Sequence, residues 1–264
     1  MKRITVKVGT STLTHQNGAL NLRQIALLVR VLSDLKNKGH DVILVTSGAI
    51  AVGVQKLRMP ERPKELSLKQ AAAAVGQCEL MHLYDKFFAE YNVPVGQILM
   101  TKEDVERENI RENLLNTLHA ILGLGVIPII NENDSVSHEE IQCRDNIFGD
   151  NDTLSAIVAE MCQADLLIML SDIDGLYDSD PRQNPDAKLV SRVQYLDDEI
   201  RQSAMGAGSS RGTGGMITKL KAAEICMDAG IDMIITNGAN PEILYDIIEE
   251  TPVGTLFTAK KGAK

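Results

Sequence analysis

Six short stretches of this sequence join small or flexible residues to charged or amide side chains, a combination suited to holding anions. Lys7 lies in an alternating run, Ile4, Val6, Val8, and is followed by Gly9-Thr10-Ser11. A lysine in an apolar strand is costly unless its ammonium reaches water or an anion. A glycine just beyond it lets backbone N–H groups approach phosphate oxygens; the plainer alternative is an edge-strand lysine facing solvent. Thr46-Ser47-Gly48-Ala49 repeats the arrangement, with Ser47 as a simple helix cap the competing reading. Asn131-Glu132-Asn133-Asp134 and Ser171-Asp172 follow two further apolar runs. Gly149-Asp150-Asn151-Asp152 opens a helical segment. One cap needs one such residue, so its carboxylates are free to orient cations, either lysine ammoniums or magnesium. Last comes Gly212-Thr213-Gly214-Gly215-Met216-Ile217-Thr218-Lys219, a glycine-rich loop running into a helix. Free N–H groups and the helix dipole make such a start an anion site. A cation in that first turn, Lys219, is unfavourable unless an anion is near.

These stretches need a scaffold that brings them to one place. β-rich runs at 4–8, 42–45, 95–100, 126–130, 166–170 and 233–235 alternate with helical periods at 22–38, 66–91, 109–122, 152–161, 216–228 and 241–249. Such alternation, with continuous apolar strands such as 166–170, predicts an α/β fold with a mainly parallel sheet covered on both faces. Ligands of open parallel sheets bind beyond the carboxyl ends of the strands, which is where the polar stretches fall. The loop-rich region 172–215 divides one continuous domain into two lobes.

Composition narrows the partners. Of 264 residues, 44% are hydrophobic and only 3% aromatic, so the core is aliphatic. A net charge of −9 argues against nucleic acid or an anionic membrane as main partner. No apolar run reaches the roughly 18–20 residues of a spanning helix, and the amino terminus does not read as a signal peptide. Cys78, Cys143, Cys162 and Cys226 are scattered without a C-x-x-C pair, which fits reduced thiols better than a zinc site. A Walker-A motif is absent, Gly206, Gly208 and Gly212 have the wrong spacing for a dinucleotide fingerprint, and Asp172, Asp174 and Gly175 do not fit a calcium loop.

Taken in order, and joined by Asp180-Pro181-Arg182, the motifs resemble those of the amino acid kinase superfamily over essentially the whole chain. The Asn131–Asp134 and Gly149–Asp152 stretches are most similar to its glutamate-phosphorylating branch. The resemblance implies a three-layer sandwich forming one domain over 1–264, with a substrate lobe over about 1–165 and a nucleotide lobe over 166–264. It implies transfer of the γ-phosphoryl group of ATP to the side-chain carboxylate of L-glutamate, the first step of proline synthesis. Mg²⁺ would be carried on the ATP phosphates with no direct protein ligand assigned. Ser47, Asp134 and Asn151 would hold glutamate. Lys7, Gly9, Ser171, Asp172 and the segment Thr213, Gly214, Gly215, Met216, Ile217, Thr218 and Lys219 would hold ATP. Lys7, Asp152 and Lys219 would be the catalytic set, with Asp152 organising the two lysines. The resemblance further implies a cytoplasmic homo-oligomer, feedback inhibition by proline, a glutamyl phosphate reductase as possible partner, and no role for nucleic acid or membrane. Two departures stand out. The segment 135–148 is a few residues longer than in many relatives, and the chain ends soon after Phe257, so the C-terminal PUA domain of many members is not expected. Rival readings are a sibling kinase acting on aspartate or N-acetylglutamate, and a non-catalytic nucleotide-binding regulatory module.

Overall fold

The computed structural model describes residues 1–15, 17–136, 151–198, 200–201 and 215–260. Among these, one eight-stranded sheet runs through the molecule. Its strands are β1 (Arg3–Val8), β2 (Asp41–Val45), β3 (Val95–Met100), β4 (Ile127–Glu132), β5 (Leu166–Ser171), β6 (Arg192–Val193), β7 (Asp232–Asn237) and β8 (Thr255–Phe257), in the order β3-β4-β2-β1-β5-β7-β8-β6. From β3 to β7 every pairing is parallel; β8 joins β7 antiparallel, and β6 lies parallel to β8. Structure thus bears out the mainly parallel α/β reading.

β1 pairs with β2 on one side and β5 on the other, in the registers Lys7↔Val45 and Lys7↔Met169. Lys7 therefore stands on an interior strand, which removes the edge-strand alternative. From β1 the chain goes on to β2 on one side, but from β5 it goes on to β6 and then β7 on the other, so connections diverge between β1 and β5. That divergence opens a crevice at the carboxyl ends of these two strands.

Helices cover the sheet for reasons visible in their periods. Helix Leu22–Asn37 buries Ile25, Leu28, Val29, Leu32 and Leu35, and Asn21 caps it by accepting from the Gln24 N–H at 3.1 Å. Helix Leu66–Ala89 buries Ala73, Gln77, Leu80, Tyr84 and Phe88 on one stripe. It crosses helix Ala49–Lys56 with backbones in contact: a Cβ added at Gly53 would lie 1.8 Å from the Ala72 carbonyl oxygen, and one at Gly76 1.8 Å from that of Ala49. Only glycine fits at either position. The crossing fixes where the turn Thr46–Gly48 sits, and Gly48 makes that turn with a φ of 95°.

Differences from the sequence reading are local. Helix Ala49–Lys56 is not assigned from its own period, because its eight residues include Gly53 and two valines, weak helix formers that tertiary packing supports. The closing helix is Ile243–Ile248, shorter than the period 241–249 suggests. β6 and β8, of two and three residues, are too short to carry a period.

Candidate active site

Helix Asn151–Met161 starts below the carboxyl ends of the central strands, and its first two side chains face opposite ways. Asp152 is fully buried. Lys7 from β1 donates to its Oδ1, and Lys219 from helix Met216–Asp228 donates to Oδ2 at 2.9 Å. Thr218 Oγ1 lies 3.0 Å from the same Oδ2 and 2.8 Å from the Gly215 carbonyl oxygen. Both ammoniums are nearly buried, Lys7 at 8% and Lys219 at 6% exposed. Burial by itself would raise the Asp152 pKa, but the Lys7 and Lys219 charges outweigh it and hold the carboxyl well below its usual range. Among the described residues two cations meet one anion there, a positive surplus in a dry place that suits a polyanion.

The surroundings fit that charge. Gly9 has an ordinary extended conformation, φ −85° and ψ 161°, so its use is not conformational. A Cβ there would lie 3.8 Å from Lys7 Nζ, so the glycine leaves open the space beside the ammonium. Helix Met216–Asp228 begins at Gly215 and helix Ala49–Lys56 at Gly48, neither with a side-chain cap. Among the described residues no side chain caps their first N–H groups, which suits an anion there. Ser171, at the end of β5, donates to Asp172 Oδ1 at 3.2 Å, and its carbonyl oxygen accepts from the Gly238 N–H at 2.8 Å. Asp174 accepts from Asn237 at 2.8 Å and from the Tyr177 hydroxyl at 3.0 Å, tying the loop after β5 to that after β7.

Asn151 faces the other way. Its Nδ2 lies 2.7 Å from Ser47 Oγ, 3.0 Å from the Thr46 carbonyl oxygen and 3.1 Å from Asn131 Oδ1. Ser47 is thus an acceptor for Asn151 and caps no helix, which removes the simple capping reading. Asn131 in turn donates to Gln77 Oε1 at 2.8 Å, and Thr46 Oγ1 shares a 2.9 Å hydrogen bond with the Tyr84 hydroxyl. Asp134 sits in the turn after β4. Burial pushes its pKa up to about 6, offset only in part by the Arg62 guanidinium.

Lys7, Asp152, Thr218 and Lys219 therefore meet in one cluster, and Ser47 with Asn151 in a second beside it. Gly149, Asp150, Thr213 and Gly214, with most of the long segment 135–148, lie outside the described residues. Gln77 and Tyr84 gave no sign in the sequence. Their seven-residue spacing puts them on the inner stripe of a helix, where core residues also fall. Among the described residues no three His, Cys, Asp or Glu side chains are grouped to hold a metal, and both Asp152 oxygens are taken by ammoniums. No helix among the described residues is long and apolar enough to cross a membrane.

A parallel α/β sheet with two buried ammoniums at the carboxyl ends of its central strands defines a phosphoryl-transfer enzyme of the kinase class. Residues 2–237 match the amino acid kinase family, and the chain belongs to it. It is 57% identical over 261 residues to the glutamate 5-kinase of Clostridium perfringens, covering 99% of this chain and 97% of that protein. It is 55% identical over 260 residues to the glutamate 5-kinase of Listeria innocua, covering 98% and 94%. In fold it is similar to the carbamate kinase of Giardia lamblia bound to AMP-PNP, with a TM-score of 0.70 at 13% identity, covering 98% of this chain and 99% of that one.

Proposed function

We propose that the chain transfers the γ-phosphoryl group of MgATP to the side-chain carboxylate of L-glutamate, giving L-glutamyl 5-phosphate. The observation that carries this is the convergence of Lys7 and Lys219 on buried Asp152. Phosphoryl transfer needs alignment and charge neutralisation more than covalent chemistry by the protein. A free glutamate carboxylate titrates at about 4.3 and is already ionised at neutral pH, so no general base is required. That suits a centre built from lysines and an aspartate. Lys7 and Lys219 offset charge on the transferring group as it passes between oxygens, and Asp152 holds both ammoniums in place.

ATP would be bound by Lys7, Gly9, Ser171, Asp172 and residues 213–219, in a nucleotide lobe over 166–264. Glutamate would be bound by Ser47, Asp134 and Asn151, in a substrate lobe over about 1–165. Ser47 accepts from Asn151, so its own hydroxyl hydrogen can turn to a substrate carboxylate. Asp134 would meet the substrate ammonium. Family membership supports further readings: a cytoplasmic homo-oligomer, inhibited by proline, passing its acyl phosphate to a glutamyl phosphate reductase.

The test is an acid panel with ATP and Mg²⁺, trapping acyl phosphate with hydroxylamine. Glutamate is expected to give hydroxamate and ADP; aspartate and N-acetylglutamate are not. Hydroxamate from aspartate in place of glutamate, or ATP binding without ADP release, would overturn the proposal.

A further inference from the structure

Three side-chain amides lie in line beside the catalytic centre, and one backbone carbonyl dictates how all three are turned. The Thr46 carbonyl oxygen can only accept, so the Asn151 atom 3.0 Å from it is the amide nitrogen. That nitrogen lies 3.1 Å from Asn131, whose facing atom must then be Oδ1. The Asn131 nitrogen is left to donate at 2.8 Å to Gln77, whose facing atom must be Oε1. Asn131 and Gln77 are more than nine-tenths buried, at 1% and 7% exposed. Two atoms at the ends of this line, Asn151 Oδ1 and Gln77 Nε2, are out of solvent with no hydrogen-bond partner among the described residues. An unpaired buried polar atom costs about 1–3 kcal/mol, so a protein keeps one where a ligand or a fixed orientation repays it.

We infer that Gln77 is a positioning residue for the acceptor substrate: the Thr46 carbonyl sets the sense of the line, and Gln77, by accepting from the Asn131 nitrogen, anchors Asn131 Oδ1 on the Asn151 nitrogen, which keeps Asn151 Oδ1 aimed as an acceptor at a substrate ammonium. The inference rests on the glutamate reading given above. Without Gln77 Oε1, the buried Asn131 nitrogen loses its acceptor, and Asn131 shifts to find another, loosening its Oδ1 from the Asn151 nitrogen. Asn151 would be held less firmly beside Ser47, while Asp152, bonded to the lysines, keeps its partners. The effect should fall on the amino acid and spare the nucleotide.

Gln77→Met keeps length and packing but removes the acceptor; Gln77→Glu keeps an acceptor oxygen. With the hydroxamate assay, Gln77→Met is expected to raise the KM for glutamate about tenfold, the scale of one lost buried hydrogen bond. KM for ATP and kcat should stay within about twofold, on the same ground that the lysine centre is untouched. Gln77→Glu is expected to restore most of the glutamate KM. A glutamate KM in Gln77→Met equal to wild type overturns the inference, as does a parallel rise in both KM values. Should the Met variant fail to fold, the Glu variant decides alone: a wild-type glutamate KM supports the inference, and a tenfold rise overturns it. If wild-type protein forms no hydroxamate from glutamate, it is the substrate reading that falls.

Discussion

Burial raises the pKa of both Asp152 and Asp134, yet the two end shifted in opposite directions because their neighbours differ. At Asp152 burial raises the pKa, yet two ammoniums overturn that and keep it ionised. At Asp134 burial wins, with the Arg62 charge offsetting it only in part, and the group sits at about 6. The contrast separates a centre that carries its own counter-charges from one that awaits them. Around Asp152 both ammoniums already share one carboxylate before any ligand arrives, so the lysines are held in place. Around Asp134 the Arg62 charge offsets burial only in part, and under the proposed function a substrate ammonium would add the rest. Asn151 and Asp152, adjacent in sequence, divide these regions: the amide serves the neutral side and the carboxylate the charged side.

The sharpest way to break this contrast is Asp152→Asn, which leaves two nearly buried ammoniums without their anion. We expect kcat to fall by at least about 10³, since both charge stabilisers lose their anchor. Stability should drop by about 3–5 kcal/mol, the scale for removing one partner of a buried ion pair. The hydroxamate assay and urea denaturation check the two effects, and a variant with wild-type turnover would show that Asp152 organises nothing. Lys7→Ala and Lys219→Ala come next, each expected to lower kcat roughly 10²–10³-fold with the glutamate KM little changed. A rise in glutamate KM alone would move the lysine concerned to the other region.

The smallest effect is a pH dependence, and its sign differs between the aspartates. Asp152 has a lowered folded-state pKa, so its contribution to stability is present above the unfolded value of about 3.9 and is lost as pH falls toward the folded one. Asp134 has a raised one, so its contribution is present below about 3.9 and is lost as pH rises through about 6. Binding of glutamate by an ionised Asp134 follows the same titration. The KM for glutamate should fall severalfold between roughly pH 5 and 7, where this group ionises, and Asp134→Asn should flatten that profile at a high KM. An unchanged profile in the variant would free Asp134 of the role.

Much of the scaffold was legible. Helices Leu22–Asn37 and Met216–Asp228 follow their apolar periods closely, and β3 matches its reading residue for residue. Helix Ala49–Lys56 did not show, because it is held by a glycine crossing with helix Leu66–Ala89 and not by its own propensity. Lys7 and Lys219 stood out because a lysine is costly in an apolar strand or a first helical turn, and Gly149–Asp152 because it exceeds one cap, whereas Ser47 and Asn151 were singled out by the family resemblance. Gln77 did not stand out, since an amide inside an apolar stripe has no spacing that marks its partner.

By itself, then, the sequence determined the parallel strand–helix alternation and the polar residues that close each strand. Tertiary structure alone decided that Lys7, 145 residues before Asp152, and Lys219, 67 residues after it, share that one carboxylate. The physical reason is that parallel strands bring all their carboxyl ends to one edge, and a charge removed from water there persists only where an opposite charge meets it.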